Sequence, residues 1–396
     1  MRRTPWFAVA LVALAFFVVM LGNTLPTPLY PHYQQRYGWS VLTITIIFGV
    51  YAVAVVGGLM LIGRLSDYVG RRPVLIPGVL LSAASAALFL VAGDLWLILV
   101  GRVLSGFSAA VFTGTATAAL VDLMPDRRPT ATVIAVAANL GGLGAGQLVS
   151  GIIADHVSRP LEVPYAVDLG LCAPALLAIL AVPRHHAQRS GRWRPQRFSV
   201  PPAVRRAFIP AAVAGSCGFA VFGLYGAVVP GLLAHQFHIS AATVVGVIVF
   251  VLMLAALGGQ LLTRRMAASL ALPLGCVTLI VGAGLLGLSV AANALVPLVI
   301  AALLIGLAEG LVIGAGLAHI NRLAPAEQRG EVASNYFVVL YIGLALPVIG
   351  VGALAGPWGA RTASLVLTLI VALAVAAVLV ALLRRQRAAP GTVALA

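Results

Sequence analysis

The chain has 396 residues, of which 61% are hydrophobic and 9% charged, with a formal net charge of +15. Soluble domains carry about 25% charged residues, so a surface this apolar excludes an ordinary soluble protein and makes a bilayer the expected solvent. All 25 basic residues are arginine, and their loop positions suit an anionic membrane surface better than nucleic acid. Cys172, Cys217 and Cys276 all fall in apolar runs with no CxxC spacing. Neither disulfides nor a metal site are expected.

A hydrocarbon core about 30 Å thick needs about 20 helical residues to cross it. Twelve apolar stretches meet that length: 6–29, 41–63, 73–92, 95–121, 130–154, 162–183, 207–234, 239–262, 270–291, 294–320, 332–355 and 359–383. The first begins like a signal peptide but runs on past any small-residue cleavage site, so it reads as a span. With the N-terminus cytoplasmic, 21 arginines fall on the cytoplasmic side. Only Arg36, Arg159 and Arg361 fall opposite, and Arg102 lies inside span four. This bias sets both termini in the cytoplasm of a multi-pass cell-membrane (inner or plasma membrane) protein.

The division expected is a six-helix bundle over 1–183, a basic cytoplasmic linker over 184–206, a second six-helix bundle over 207–387 and a short cytoplasmic tail over 388–396. The halves repeat. Gly106, Gly114, Leu123 and Pro125 recur 200 residues later as Gly306, Gly314, Leu323 and Pro325. Gly57, Gly58 and Arg64 recur 201 residues later as Gly258, Gly259 and Arg265. The fold class is therefore all-α, with twelve transmembrane helices in two pseudo-symmetric bundles. Repeated halves of this kind are the frame of a rocking-bundle transporter that binds its cargo near the midplane.

Between spans two and three stands GRLSDYVGRR, residues 63–72. It resembles the G-x-L-x-D-R-x-G-R-R/K signature of the major facilitator superfamily through Gly63, Leu65, Asp67, Gly70, Arg71 and Arg72, with Tyr68 in place of the usual first Arg. The resemblance implies the major facilitator fold and makes this loop a cytoplasmic gate. Asp67 would face the start of span eleven near 332–336, where helix-end N–H groups favour an anion. Arg71 would pair with Asp122 at the end of span four. A solvated loop kept basic for orientation alone is the competing reading.

Two more stretches resemble the twelve-span drug/proton antiporter branch. Leu21-Gly22 followed by Pro28 and Pro31 fits its span-one pattern, and the prolines should bend or unwind that end. Span five carries Gly142, Gly146 and Gly151, but Gln147 replaces the antiporter proline and Ser150 a glycine. Pro347 offers a bend in span eleven.

Charges inside a span are costly unless employed. Arg102 followed by Gly106 is similar to the superfamily's span-four motif, which ties the arginine to proton coupling. Glu309, near the middle of span ten, is the second candidate, because a carboxylate removed from water can load and release a proton near neutral pH. A backbone-bonded arginine and a packed, permanently protonated acid are the alternatives. Asn23, Thr24, Tyr51, Asn139, Gln147, Tyr225, Gln260, Asn335, Tyr336 and Tyr341 are candidates to line a substrate cavity, although each taken alone is more often a helix–helix hydrogen bond than a ligand contact. Asp168 reads as an interfacial residue of span six.

No P-loop, HExxH or GxSxG occurs, so neither ATP drive nor enzyme chemistry is expected. These readings combine into a monomeric, cofactor-free secondary transporter in the lipid bilayer. It would be driven by an ion gradient, with the proton as coupling ion, and would export drugs or amphipathic metabolites. Proton-coupled uptake of a sugar, organic acid or amino acid is the nearest alternative. A non-transporting receptor or scaffold would need larger extramembrane parts.

Overall fold

A computed structural model of the chain describes residues 6–183, 196, 198–325 and 328–387. Most of the expected linker, the tail 388–396 and the N-terminal Arg2 and Arg3 lie outside them. Among the described residues the secondary structure is helical, without a strand, as a lipid solvent requires of a chain that must satisfy every backbone group within its own segment.

The first span is interrupted. Helix α1 (Trp6–Thr24) gives way to a three-residue 3-10 turn at Thr27–Leu29 and resumes as α2 (Tyr30–Tyr37). Pro28 lies in the turn and Pro31 in the first turn of α2. Gly38 ends α2 at φ 68°, a left-handed position that suits glycine. Ser40 then caps α3 (Val41–Ile62), its Oγ accepting the Thr43 N–H at 3.1 Å. The short α4 (Leu65–Val69) occupies the loop, and Gly70 at φ 93° turns the chain into α5 (Arg72–Val91). Asp94 caps α6 (Leu95–Leu123) at 2.9 Å. The first half closes with α7 (Arg128–His156) and α8 (Val163–Ala181).

The second half contains α9 (Pro202–Ala227), the short α10 (Val229–His235), α11 (Ala242–Leu262), α12 (Ala268–Ala292), α13 (Leu295–Leu323) and α14 (Arg329–Arg387). Spans eleven and twelve are not separated by a loop. They are two arms of α14, broken at Gly359 with φ 80° and ψ 149°. Among the described residues, 11 helices are long and apolar enough to cross a membrane, and the last of them is long enough for two crossings. Large side chains such as Leu177, Leu369 and Leu373 point outward, where lipid tails replace water.

Each half packs within itself, α3 on α6 and α5 on α8 in the first, α11 on α13 and α9 on α14 in the second. The halves meet chiefly through α3 with α14 and α7 with α11. The repeat extends to individual contacts. A Cβ on Gly106 would strike the Tyr51 carbonyl and Ala54, and one on Gly306 would strike the Leu252 carbonyl and Ala255. Gly151 lies against Ala242 and Thr243, and Gly352 against Leu42 and Thr45. These neighbours are also about 201 residues apart. Small residues at such crossings let two backbones approach without loss of packing.

Candidate functional site

Between the halves lies a cavity of about 270 Å³. Asn23, Thr24, Tyr51, Arg102, Asn139, Gln147, Gln260, Glu309 and Tyr341 all line it. Three of the candidate cavity residues stand elsewhere. Tyr225 is fully buried and donates to the Leu298 carbonyl at 2.9 Å, tying α9 to α13. Tyr336 donates to the Ala211 carbonyl at 3.3 Å within a core between α9 and α14. Asn335 belongs to the arginine-rich end of the molecule, described below. Each has a polar side chain in an apolar span, but its helix face points into protein rather than into the cavity.

Arg102 is 2% exposed. Its Nε donates to the Ile47 carbonyl at 3.3 Å and its Nη1 to the Asn23 carbonyl at 2.9 Å, while its guanidinium carbon lies 4.6 Å from the centre of the Tyr51 ring. Two backbone carbonyls and an aromatic face thus hold the charge, the latter a cation–π contact. The phenols of Tyr51 and Tyr341 interact across the interface and link this arginine's ring partner to the second half.

Glu309 has no exposed surface, and neither carboxyl oxygen has a hydrogen-bond partner among the described residues. Its carboxyl occupies the space left by Gly218 of α9, where a Cβ would overlap it. Arg102 and Glu309 therefore border one cavity from opposite halves without forming an ion pair among the described residues. A buried charge left without a counter-charge is costly in this solvent.

The candidate bending positions divide. Pro28 and Pro31 sit at the interruption of span one. Gly142, Gly146 and Gly151 do not break α7, which runs without interruption for 29 residues. They make room for neighbours instead: Gly142 for the Phe17 carbonyl, Gly146 for the Leu21 carbonyl and Gly151 for Ala242. Pro347 lies inside α14, whose one non-helical residue is Gly359.

At the arginine-rich end, Arg71 Nε meets Asp122 Oδ2 at 2.9 Å, as the loop motif implies. Asp67, however, does not reach the start of span eleven. Its Oδ1 accepts from Arg71 Nη1 at 2.6 Å, and the same nitrogen donates to Ser66 Oγ at 2.7 Å. The nearby guanidinium, four residues along the chain, captures the carboxylate locally. Arg72 donates to the Val182 carbonyl of the first half at 3.3 Å. The tie between halves is made instead by Arg64, whose Nη1 lies 3.2 Å from Glu331 Oε2 at the start of α14. Gln196 reinforces it. Its backbone N–H donates to the Met60 carbonyl at 2.8 Å, and its side-chain amide donates to the Glu331 carbonyl and Asn335 Oδ1, both at 3.0 Å. Asn335 in turn donates to the Ser199 carbonyl at 2.7 Å.

The far end is tied as well. Helix α11 begins at Ala242 with no side-chain cap of its own. Asp155 of α7 supplies one across the interface, accepting the Ala242 and Thr243 N–H groups at 2.8 Å each. Asp168 departs from the interfacial placement. It is 2% exposed, and its carboxyl packs against Gly22 of α1. The missing side chain of Gly22 opens the slot.

The architecture defines a polytopic membrane fold with a cavity between two related halves. The chain belongs to the Major Facilitator Superfamily, whose family model matches residues 12–346. It is 28% identical over 174 residues to a tetracenomycin C resistance and export protein of Streptomyces glaucescens, a match covering 44% of this chain and 32% of that one. A chloramphenicol resistance protein, CraA, of Acinetobacter baumannii is 30% identical over 182 residues, 46% of this chain and 42% of that one. A class D tetracycline resistance protein of Salmonella ordonez is 35% identical over 129 residues, 32% of each. The chain thus spans less than half the length of these relatives. Two solved structures share the fold throughout. The nucleoside transporter NupG has a TM-score of 0.70 at 14% identity over 96% of this chain and 99% of its own. A bacterial homologue of the human lysosomal transporter Spinster, solved inward-facing and unoccupied, has a TM-score of 0.75 at 15% identity over 96% and 98%.

Proposed function

We propose that the chain is a proton-driven exporter of amphipathic small molecules, working by alternating access in the cell membrane with both termini in the cytoplasm. One observation carries the reading: two of the ionisable residues buried within spans, Arg102 and Glu309, border the same inter-half cavity from opposite sides without pairing among the described residues. A carboxyl in that position can take a proton from one side and deliver it to the other while the cavity exchanges substrate. In this cycle the Arg64–Glu331 tie closes the cytoplasmic end and the Asp155 cap closes the outer end. Breaking either opens the cavity to that side.

Export rather than uptake is favoured by the relatives, whose names describe resistance to tetracenomycin C, chloramphenicol and tetracycline. Its test is dye efflux from cells lacking their own exporters, with and without an uncoupler. Expression should lower dye accumulation, and the uncoupler should abolish the difference. Efflux that survives the uncoupler overturns proton drive, and energised accumulation in place of efflux overturns the direction.

A further inference from the structure

We propose that the cargo is a hydroxyl-bearing ring amphiphile, phenolic or enolic, neutral or singly anionic, bound with its polar edge on the first half and its apolar face on the second. The inference rests on the exporter reading and specifies its substrate class.

The two walls of the cavity differ in chemistry. From the first half come Asn23, Arg102, Thr113, Thr117, Asn139 and Gln147, set among the apolar Phe48, Val136, Leu140 and Leu143. The second half presents mainly Phe219, Phe222, Val249, Met253, Ile313 and Leu344, with Gln260, Glu309 and Tyr341 as its polar members. A ligand uniformly polar or uniformly apolar would leave one wall badly matched. A flat molecule with a polar rim and an apolar face satisfies both, and aromatic side chains favour a ring as that face.

The unmet hydrogen-bonding capacity narrows the rim. Asn23 Oδ1 and Gln147 Oε1 are buried acceptors without a partner among the described residues. A buried acceptor left unpaired costs free energy that a ligand donor recovers. Arg102 commits Nε and Nη1 to carbonyls, and no acid among the described residues pairs with it. Its remaining nitrogen suits an oxygen with partial or full negative charge. A hydroxyl answers both needs, donating to an amide oxygen while its own oxygen, or an ionised neighbour, faces the guanidinium. A fixed cation does neither. It would meet an unopposed arginine on the polar wall, and its one available carboxyl, Glu309, is on the other half and tucked against Gly218.

Binding to the purified full chain in lipid nanodiscs tests this by calorimetry with three probes: 1,3,8-trihydroxyanthraquinone, its trimethoxy counterpart and ethidium. The hydroxylated probe should bind about tenfold more tightly than the methylated one, and more tightly than ethidium. In Gln147→Leu that preference should shrink several-fold, whereas Phe222→Leu should weaken both anthraquinones together. The ratio of two probes on one preparation is read, so a partly folded variant does not mask the result. Equal binding of the two anthraquinones, or tighter binding of ethidium, overturns the substrate class. Uncoupler-sensitive ethidium efflux alongside tighter ethidium binding would remove the class and leave the exporter reading intact. Hydroxyl-selective binding without uncoupler-sensitive efflux would do the reverse.

Discussion

The carboxyl of Glu309 fills the space that a side chain on Gly218 would need, so an acid on α13 is seated by a glycine on α9. The two positions form one device. Gly218→Ala should push the carboxyl out of its seat and reduce gradient-driven transport at least tenfold. The strain of adding a methyl group to a filled site is about 1–3 kcal/mol, so the variant should still assemble, with a lower melting temperature in detergent. Normal transport by Gly218→Ala would detach Glu309 from the mechanism.

Arg64 and Glu331 are about one-quarter exposed, and such pairs contribute roughly 0.2–1 kcal/mol. Arg64→Ala or Glu331→Gln should therefore shift the population open at that end by up to about fivefold. The shift is read as maleimide labelling of a single cysteine placed at Thr117 in the cavity, in a background lacking the native cysteines. Exchanging the two charges should restore labelling towards the parent level. Asp122→Asn should instead lower the stability of the first half, because Arg71 and Asp122 both belong to it.

Asp155→Ala should act in the opposite direction. It removes the cap that α7 gives to α11, worth about 1 kcal/mol, and should raise labelling of the same cysteine from the far side about fivefold. If Arg64→Ala and Asp155→Ala both raise labelling from one side only, the two ties do not guard opposite ends.

Gln196 bridges Met60 of α3 and Asn335 of α14. Gln196→Ala and Asn335→Ala should each loosen the arginine-rich end, and the double variant should add little to either. A double-mutant cycle with no coupling would contradict the bridge.

What the sequence makes legible follows from which signals a bilayer leaves. Twelve apolar lengths, the arginine bias, the 200-residue repeat and the pairing of Arg71 with Asp122 all depend on length, charge or motif spacing. Which face of an apolar helix turns inward has no such signal, because lipid and protein interior are alike in polarity. Tyr225 and Tyr336 therefore pass for cavity residues, and Asp168 for an interfacial one. The Asp67 expectation gives way for a local reason: Arg71, four residues along and beyond the Gly70 turn, bonds its carboxylate within the loop. Arg64–Glu331 and the Asp155 cap join residues 267 and 87 positions apart, and nothing short of the helix packing brings them together.

The most direct test of the account is Glu309→Gln in proteoliposomes carrying an imposed proton gradient. The amide keeps the shape of the side chain and removes its exchangeable acidic proton. The variant should remain folded and bind substrate but fail to concentrate it. If Glu309→Gln still accumulates substrate on the gradient at the parent rate, Glu309 is not the proton carrier and the central claim falls.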